Sequence, residues 1–372
     1  MILGIDVSTY LEELEHGAKY YAGGAQIDPL DRFRENGVDW MRIRVWNDPR
    51  SEAGEPYLAG TCDMAHYIRL ATLAKSKGYK LLLDFHYSDF WADPGKQMIP
   101  KAWVGLDVDT MAEALYAFTK ECLEAAVAAN VAPEMIQVGN EITNGILWPL
   151  GKLESSDGTR GNYENFCKLI GAGCKACREV LPEAKLMLHL ERSNDKAVYQ
   201  EFFTEMETAG IDYDIIGASY YPYWHGTPAE LMENLNACRR FGKEIMVAEL
   251  GYGFTMEAYS LDGGAQRLVI DAERAYVPGV TEQYPMTPEG QAAYIRDFLA
   301  LCRDNGIGGI FYWEPLWIPG EGICWASEAG QAYIHEEGKS TSNEWANQCL
   351  FDYRGQMLPA LEYYKLSTNC QW

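Results

Sequence analysis

Eight short, apolar, β-rich runs recur along the chain, each followed by a stretch of different periodicity. They read ILGIDVS (2–8), WMRIRVW (40–46), KLLLDFH (80–86), MIQVGNE (135–141), KLMLHLE (185–191), YDIIGASYY (213–221), KEIMVAE (243–249) and GGIFYWE (308–314). Nearly continuous apolar runs, rather than strict alternation, suit parallel strands covered by helices on the outside. Helical patterns fill the intervals. MAHYIRLATLAKSKG (64–78) closes on a glycine, and NYENFCKLIGAGCKACREVLP (162–182) stops before a proline. TMAEALYAFTKECLEAAVAAN (110–130) places Leu115, Phe118, Cys122 and Ala126 on one face, and residues 287–306 carry Ile295, Phe298 and Cys302 as a stripe.

Strand and helix signals alternating in one order, with no linker or low-complexity segment, predict an α/β fold. The specific expectation is a (β/α)8 TIM barrel, a single domain over residues 1–372. The connections after strands 7 and 8, roughly 250–286 and 315–355, are long for a compact fold. Both fall on the C-terminal face, where barrels of this kind keep their active sites. The second carries Trp317, Trp325, Tyr333 and Trp345 among glycines and polar residues, more aromatic surface than a core there could absorb.

Composition narrows the partners. The 372 residues carry 54 acidic against 31 basic side chains, a net charge of −23, which disfavours nucleic acid and anionic membrane and suits a neutral substrate. Eleven Trp and 24 Tyr offer flat rings with a polar edge, the shape of stacking platforms. Five of the ten cysteines (Cys122, Cys167, Cys174, Cys238 and Cys302) fall inside helical patterns, where a thiol acts as a small hydrophobe. Cys174 and Cys177 have no second pair to complete a zinc site, so reduced thiols and a reducing compartment are expected, Cys370 included. The opening MILGIDVSTY is already a strand, without a basic n-region or apolar h-region. A cytoplasmic location is the expectation, or secretion if an export segment precedes these residues. No apolar stretch approaches the ~20 residues of a membrane-spanning helix, and a monomer is expected.

Polar residues gather at the strand ends: Asp6, Arg44, Asp84, His86, Asn140, Glu141, His189, Tyr220, Tyr221, Glu249, Trp313 and Glu314. One charge at a strand end is ordinary; several on one barrel rim aim at one cavity. Glu141 ends strand 4 and Glu249 ends strand 7, so their side chains can face each other across the barrel axis. Paired carboxylates are what glycoside hydrolysis needs, a proton donor for the leaving oxygen and an ionised partner. Like charge and burial should raise the acid, while Arg44 is expected to keep Glu249 ionised and Asn140 to hold a sugar hydroxyl.

The chain resembles the retaining (β/α)8 glycosidases and, within them, glycoside hydrolase family 53, the endo-β-1,4-galactanases. The resemblance rests on WMRIRVWNDP (40–49), LLLDFHYSDFWADPGKQ (81–97), IQVGNEITNGILWP (136–149), ASYYPYWHGT (218–227), IFYWEPLWIP (310–319) and NQCLFDYRGQMLPAL (347–361). It implies Glu141 as acid/base and Glu249 as nucleophile. It further implies Trp91 and Trp313 as sugar platforms, with Asn140, Arg44, His86 and Tyr220 as supporting polar contacts. The implied substrate is β-1,4-galactan, the neutral side chain of pectin and type I arabinogalactan, with no cofactor. Three segments depart from the family's pattern: AELGYGFT at the nucleophile, HLERSND (189–195) after strand 5, and a strand 7 loop without a calcium-ligand ladder. No metal is expected.

Three other readings compete. Another β-linked glycan, mannan or glucan, would use the same chemistry. A metal-dependent hydrolase would need Asp84, His86, His189 and His225 as ligands, but GIDVST lacks the usual His-x-His and the six histidines are scattered. A non-catalytic sugar-binding barrel would have no need of both glutamates.

Overall fold

The computed structural model describes residues 1–154, 158–261, 264–339 and 341–364. Its centre is a closed barrel of eight parallel strands: β1 (Ile2–Asp6), β2 (Trp40–Val45), β3 (Lys80–Phe85), β4 (Met135–Val138), β5 (Lys185–Leu190), β6 (Ile215–Tyr220), β7 (Glu244–Leu250) and β8 (Gly309–Trp313). Each pairs with the next, and β8 returns to β1 in register from Ile2 opposite Gly309 to Asp6 opposite Trp313. Outer helices follow the first seven strands: α1 (Pro29–Glu35), α2 (Met64–Ser76), α3 (Val108–Ala128), α4 (Tyr163–Val180), α5 (Lys196–Thr208), α6 (Pro228–Ala237) and α7 (Pro288–Asp304). After β8 the chain makes a short 3-10 turn, Pro359–Glu362, which packs on α7. The expected barrel is therefore present.

Helix starts follow local chemistry. Asp28, Asp63, Asp107, Asp195, Thr227 and Thr287 each accept a backbone N–H of the first turn, satisfying donors that have no partner within the helix. Inside the barrel, alternate residues of the strands point at the axis. Trp40, Leu82, Met135, Met187, Ile215, Met246, Ala248 and Phe311 form an apolar plug there. Their neighbours Met41, Ile43, Leu81, Leu83, Ile136 and Val247 face the helices in the outer core. Both faces are buried, which is why the strands read as unbroken apolar runs. The nine described cysteines are free thiols, eight of them buried; Cys370 lies outside the described residues. Among the described residues no helix is long and apolar enough to cross a membrane.

Two departures from regular strand geometry aim the glutamates. The run 135–141 does not continue as strand: β4 ends at Val138, Gly139 takes φ +86°, and Glu141 itself is left-handed at φ 49°, ψ 50°. A Cβ on Gly139 would stand 2.6 Å from Ile142 Cγ2, so only glycine fits this turn. The left-handed backbone at Glu141 costs roughly 1–2 kcal/mol, a strain typical of functional positions. In β7 the pairing passes from Val247 opposite Ala218 to Glu249 opposite Ser219, leaving Ala248 as the extra residue of a β-bulge. Plain alternation would send Glu249 outward with Val247. The bulge turns it to the axis instead.

The tight plug yields a prediction. Gly4 on β1 leaves room for the Phe311 ring, whose carbons would lie 2.3 and 2.4 Å from an added Cβ. Gly4→Val should destabilise the barrel by about 1–3 kcal/mol, read as a lower midpoint in urea unfolding.

Candidate active site

Above the apolar plug lies a buried polar layer centred on Arg42. Its Nη1 donates to Asp6 Oδ2 at 2.7 Å, its Nη2 pairs with Asp84 Oδ2 at 2.9 Å and Glu249 Oε1 at 3.0 Å, and its Nε donates to Gln137 Oε1 at 3.0 Å. Nη2 also donates to Asn140 Oδ1 at 2.9 Å. Burial works against the charge of Arg42, but Asp84, Glu249 and Asp6 outweigh it and hold the guanidinium protonated. Burial also opposes ionisation of Asp84, yet Arg42 and His86 pull its carboxyl below the usual range. His86 is kept neutral by burial; its Nδ1 accepts from Ala92 N, so Nε2 carries the proton facing Asp84 Oδ2 at 3.2 Å.

Glu249 stands on this layer, 6% exposed, between two donors: Arg42 and the Tyr221 hydroxyl, which donates to Oε2 at 2.8 Å. Burial raises its pKa, Arg42 and the Tyr221 hydroxyl oppose the rise, and Asp84 and Asp6 add to it. Among the described residues no cation pairs with Glu141. Burial raises its pKa well above the carboxylate range; Glu249, then Glu191, push it further, and only the Ser219 hydroxyl opposes them among the leading causes. The environments thus separate the two carboxyls, favouring the proton on Glu141 and the charge, held by Arg42 and Tyr221, on Glu249.

Ser219 links them. Its Oγ lies 2.7 Å from Glu141 Oε1 and 3.5 Å from Glu249 Oε2. Those two oxygens can therefore be at most about 6.2 Å apart, compatible with the ~5–5.5 Å of retaining pairs. Ser219 is oriented in turn by His189, whose Nε2 lies 2.9 Å from Oγ while Nδ1 faces the backbone N–H of Glu141 at 3.4 Å. With Nδ1 accepting, Nε2–H donates to Ser219 and the hydroxyl hydrogen is free for Glu141.

A cavity of about 630 Å³ opens over the pair. His86, Trp91, Asn140, Glu141, Tyr221, Glu249 and Trp313 from the expected set line it, joined by Trp224, Trp317, Trp325 and Trp345. Trp313 meets Trp345 edge-to-face at 4.7 Å and lies 6.0 Å from Trp91, building an aromatic floor and wall. Both long loops contribute, through Arg267 and Val269 after β7 and Trp317–Trp345 after β8. Tyr333 does not; it stacks on Tyr57 at 5.3 Å and anchors the β8 loop.

Four expected site residues stand elsewhere. Arg44 does not pair with Glu249: its guanidinium is taken by Glu314 Oε1 at 2.5 Å and Ala59 O at 2.7 Å, and it packs over Trp91. Arg42, two residues earlier on the same inward face, holds Glu249 instead. Asp6 is fully buried beneath the cavity, bound to Arg42 and Ser8. His189 is likewise fully buried and acts through Ser219. Tyr220 points outward, because strand alternation puts Ser219 and Tyr221 on the inside; it stacks on Phe298 of α7 at 5.1 Å and donates to Gly226 O.

Arg42, Ser219, Gln137 and Glu191 escaped the sequence reading. A charge in mid-strand, as in WMRIRVW, is the available signal for Arg42, and a polar amide within the apolar run MIQV is the signal for Gln137. The four residues a metal reading would use are otherwise engaged: Asp84 with Arg42 and His86, His189 with Ser219, and His225 Nδ1 accepting from Tyr221 N. Among the described residues no group of three or more His, Cys, Asp or Glu side chains could hold a metal ion.

Arg42→Met would leave Asp6, Asp84 and Glu249 buried without their shared cation. The expected cost is about 3–5 kcal/mol, measurable as a fall in unfolding midpoint.

Comparison with known proteins places this geometry. The family model described as glycosyl hydrolase family 53 matches residues 2–364. The chain is 34% identical over 389 residues to the endo-beta-1,4-galactanase of Bacillus subtilis, covering 99% of this chain and 86% of that one. It is 36% identical to an uncharacterised protein of Niallia circulans, over 100% of this chain and 96% of the other. Among solved structures it resembles the family 53 catalytic domain of Ignisphaera aggregans, with TM-score 0.88, 37% identity, and 98% and 96% of the two chains covered. A fungal β-1,4-galactanase structure superposes with TM-score 0.76 and 26% identity, over 98% of each chain. With a family model matching from the first barrel strand to the last described residue, the chain belongs to glycosyl hydrolase family 53.

Proposed function

We infer that this chain is an endo-β-1,4-galactanase, hydrolysing β-1,4-galactan side chains of pectin and type I arabinogalactan with retention of configuration. The observation that carries the chemistry is the pair Glu141 and Glu249, bridged by Ser219 and driven to opposite protonation states by their surroundings. Family membership and galactanase relatives from bacteria and fungi support the sugar and the linkage.

The chain's residues divide the reaction into two displacements. Sugar rings stack on Trp313 and Trp91 while the scissile bond lies between the carboxyls. Glu249, its charge oriented by Arg42 and Tyr221, attacks the anomeric carbon as Glu141 gives its proton to the departing oxygen. This leaves a galactosyl ester on Glu249 and an ionised Glu141. Water then enters, Glu141 takes its proton, and the hydroxide oxygen displaces Glu249, restoring both groups and the original anomer. Positive charge developing at the anomeric carbon is met by the Glu249 carboxylate, and negative charge on the departing oxygen by the proton of Glu141.

Glu249→Ala should abolish turnover of linear β-1,4-galactan while retaining binding, and Glu141→Gln should lower kcat by roughly 10²–10⁴-fold. Product ladders from galactan, mannan and cellulose identify the glycan; hydrolysis of mannan or cellulose in preference to galactan would replace the substrate named here. Rate against pH should be bell-shaped. Activity falls on the acid side as Glu249 takes up a proton and on the alkaline side as Glu141 loses one, and the raised pKa of Glu141 extends the alkaline limb.

A further inference from the structure

The two-carboxylate reaction makes no use of a third acid in the wall of the cavity. Glu191 follows β5, where Met187, His189 and Glu191 share the inward face, and it is 4% exposed. Its backbone N–H donates to Thr143 Oγ1 at 3.2 Å, and the Thr143 hydroxyl donates back to Glu191 Oε2. Thr143 lies in the 3-10 turn Ile142–Asn144 that Glu141 opens, so this reciprocal bridge ties Glu191 to the turn that aims Glu141.

The charge of Glu191 is poorly matched. Oε1 is buried and accepts no hydrogen bond among the described residues; Arg192 Nε stands 3.6 Å away. The head of Arg192 is committed elsewhere, to Glu154 Oε2 at 2.6 Å and Asn144 Oδ1 at 3.1 Å. Arg160 is likewise occupied, donating to Thr143 O at 2.8 Å. Burial pushes Glu191 up to about 7, against the Thr143 hydroxyl, its own backbone N–H, Arg192 and Arg160. Facing Glu141 are Glu249 from β7, Glu191 from β5, Asp93 from the β3 loop, and Ser219 of β6. Of the three acids, Glu249 meets Arg42 at 3.0 Å and Asp93 pairs closely with Lys96, whereas the cation beside Glu191, Arg192, stands at 3.6 Å.

We propose that Glu191 is a third carboxyl of this active centre, a positioning residue that acts on the reaction through Glu141. Through the Thr143 bridge it fixes the turn, and through its weakly matched charge it holds the proton on Glu141. As pH rises through the range where Glu191 ionises, its negative charge makes loss of the Glu141 proton harder. Removing that charge must move the alkaline limb downward and leave the acid limb, which belongs to Glu249, in place.

The proposal rests on the glycosidase reading, and the experiment separates the two. In Glu191→Gln, the alkaline limb of kcat/KM on linear galactan should shift down by roughly half a pH unit or more. Glu191→Asp, which keeps the charge, should return it toward the wild-type position. Coincident limbs in wild type and Glu191→Gln overturn the proposal, as does an equal shift in Glu191→Asp, which would mark a merely structural role. Independently of substrate, ¹³Cδ NMR titration of labelled glutamates in the wild-type protein should show Glu141 titrating in two steps, one coincident with Glu191. A single-step Glu141 curve overturns the coupling even if Glu191→Gln fails to fold. A wild type inactive on galactan would sink the substrate reading while leaving this titration to decide the coupling.

Discussion

Arg42 is the interaction on which the centre of this molecule depends. One guanidinium, almost wholly buried, meets Asp6, Asp84 and Glu249 and hydrogen-bonds Gln137 and Asn140. Strands β1, β2, β3 and β7, and both ends of the β4 turn, are thereby tied to a single charge. A buried ion cluster of this kind contributes little net stability, since desolvation offsets most of the attraction. Its consequence is arrangement: the carboxyls cannot move apart without stranding a charge in a dry interior. Arg42 favours the charge on Glu249, and Glu141, which pairs with no cation among the described residues, is favoured to keep its proton.

Around that hub the barrel is layered. An apolar plug closes the bottom, the polar layer sits on it, and the aromatic cavity opens above. The plug excludes water from beneath the charges, strengthening their interactions. The aromatics confine the substrate above them. His189 and Ser219 connect the layers, passing orientation from the buried network to the carboxyl that moves a proton. The loop after β8 closes one side of the cavity, with Tyr333 on Tyr57 and the Trp91 indole donating to Trp325 O at 2.9 Å.

Much of this is legible in the amino-acid sequence. Eight apolar runs separated by helical periods named the barrel, because a parallel strand buried on both faces writes that pattern. Glu141 and Glu249 were legible as carboxylates where each run stops. Arg44 carries the expectation at the strand end; choosing between two inward-facing arginines requires knowing that Glu314 takes Arg44. Tyr220 was placed beside Tyr221 in the site, although alternation alone puts one of the two outside. Glu191 was visible within HLERSND but carried no sign of its tie to Thr143, 48 positions away.

By itself the sequence determined the period of burial, the order of the elements and the chemical groups at their ends. Those are local properties, set by side-chain type and by the 2- and 3.6-residue repeats. Tertiary structure alone decided which charges meet and which carboxyl keeps its proton. Such choices depend on contacts between residues tens to hundreds of positions apart, and on two departures from regular strand geometry. The left-handed turn at Glu141 and the bulge at Ala248 set where the glutamates point, and only the closed barrel brings them to one serine.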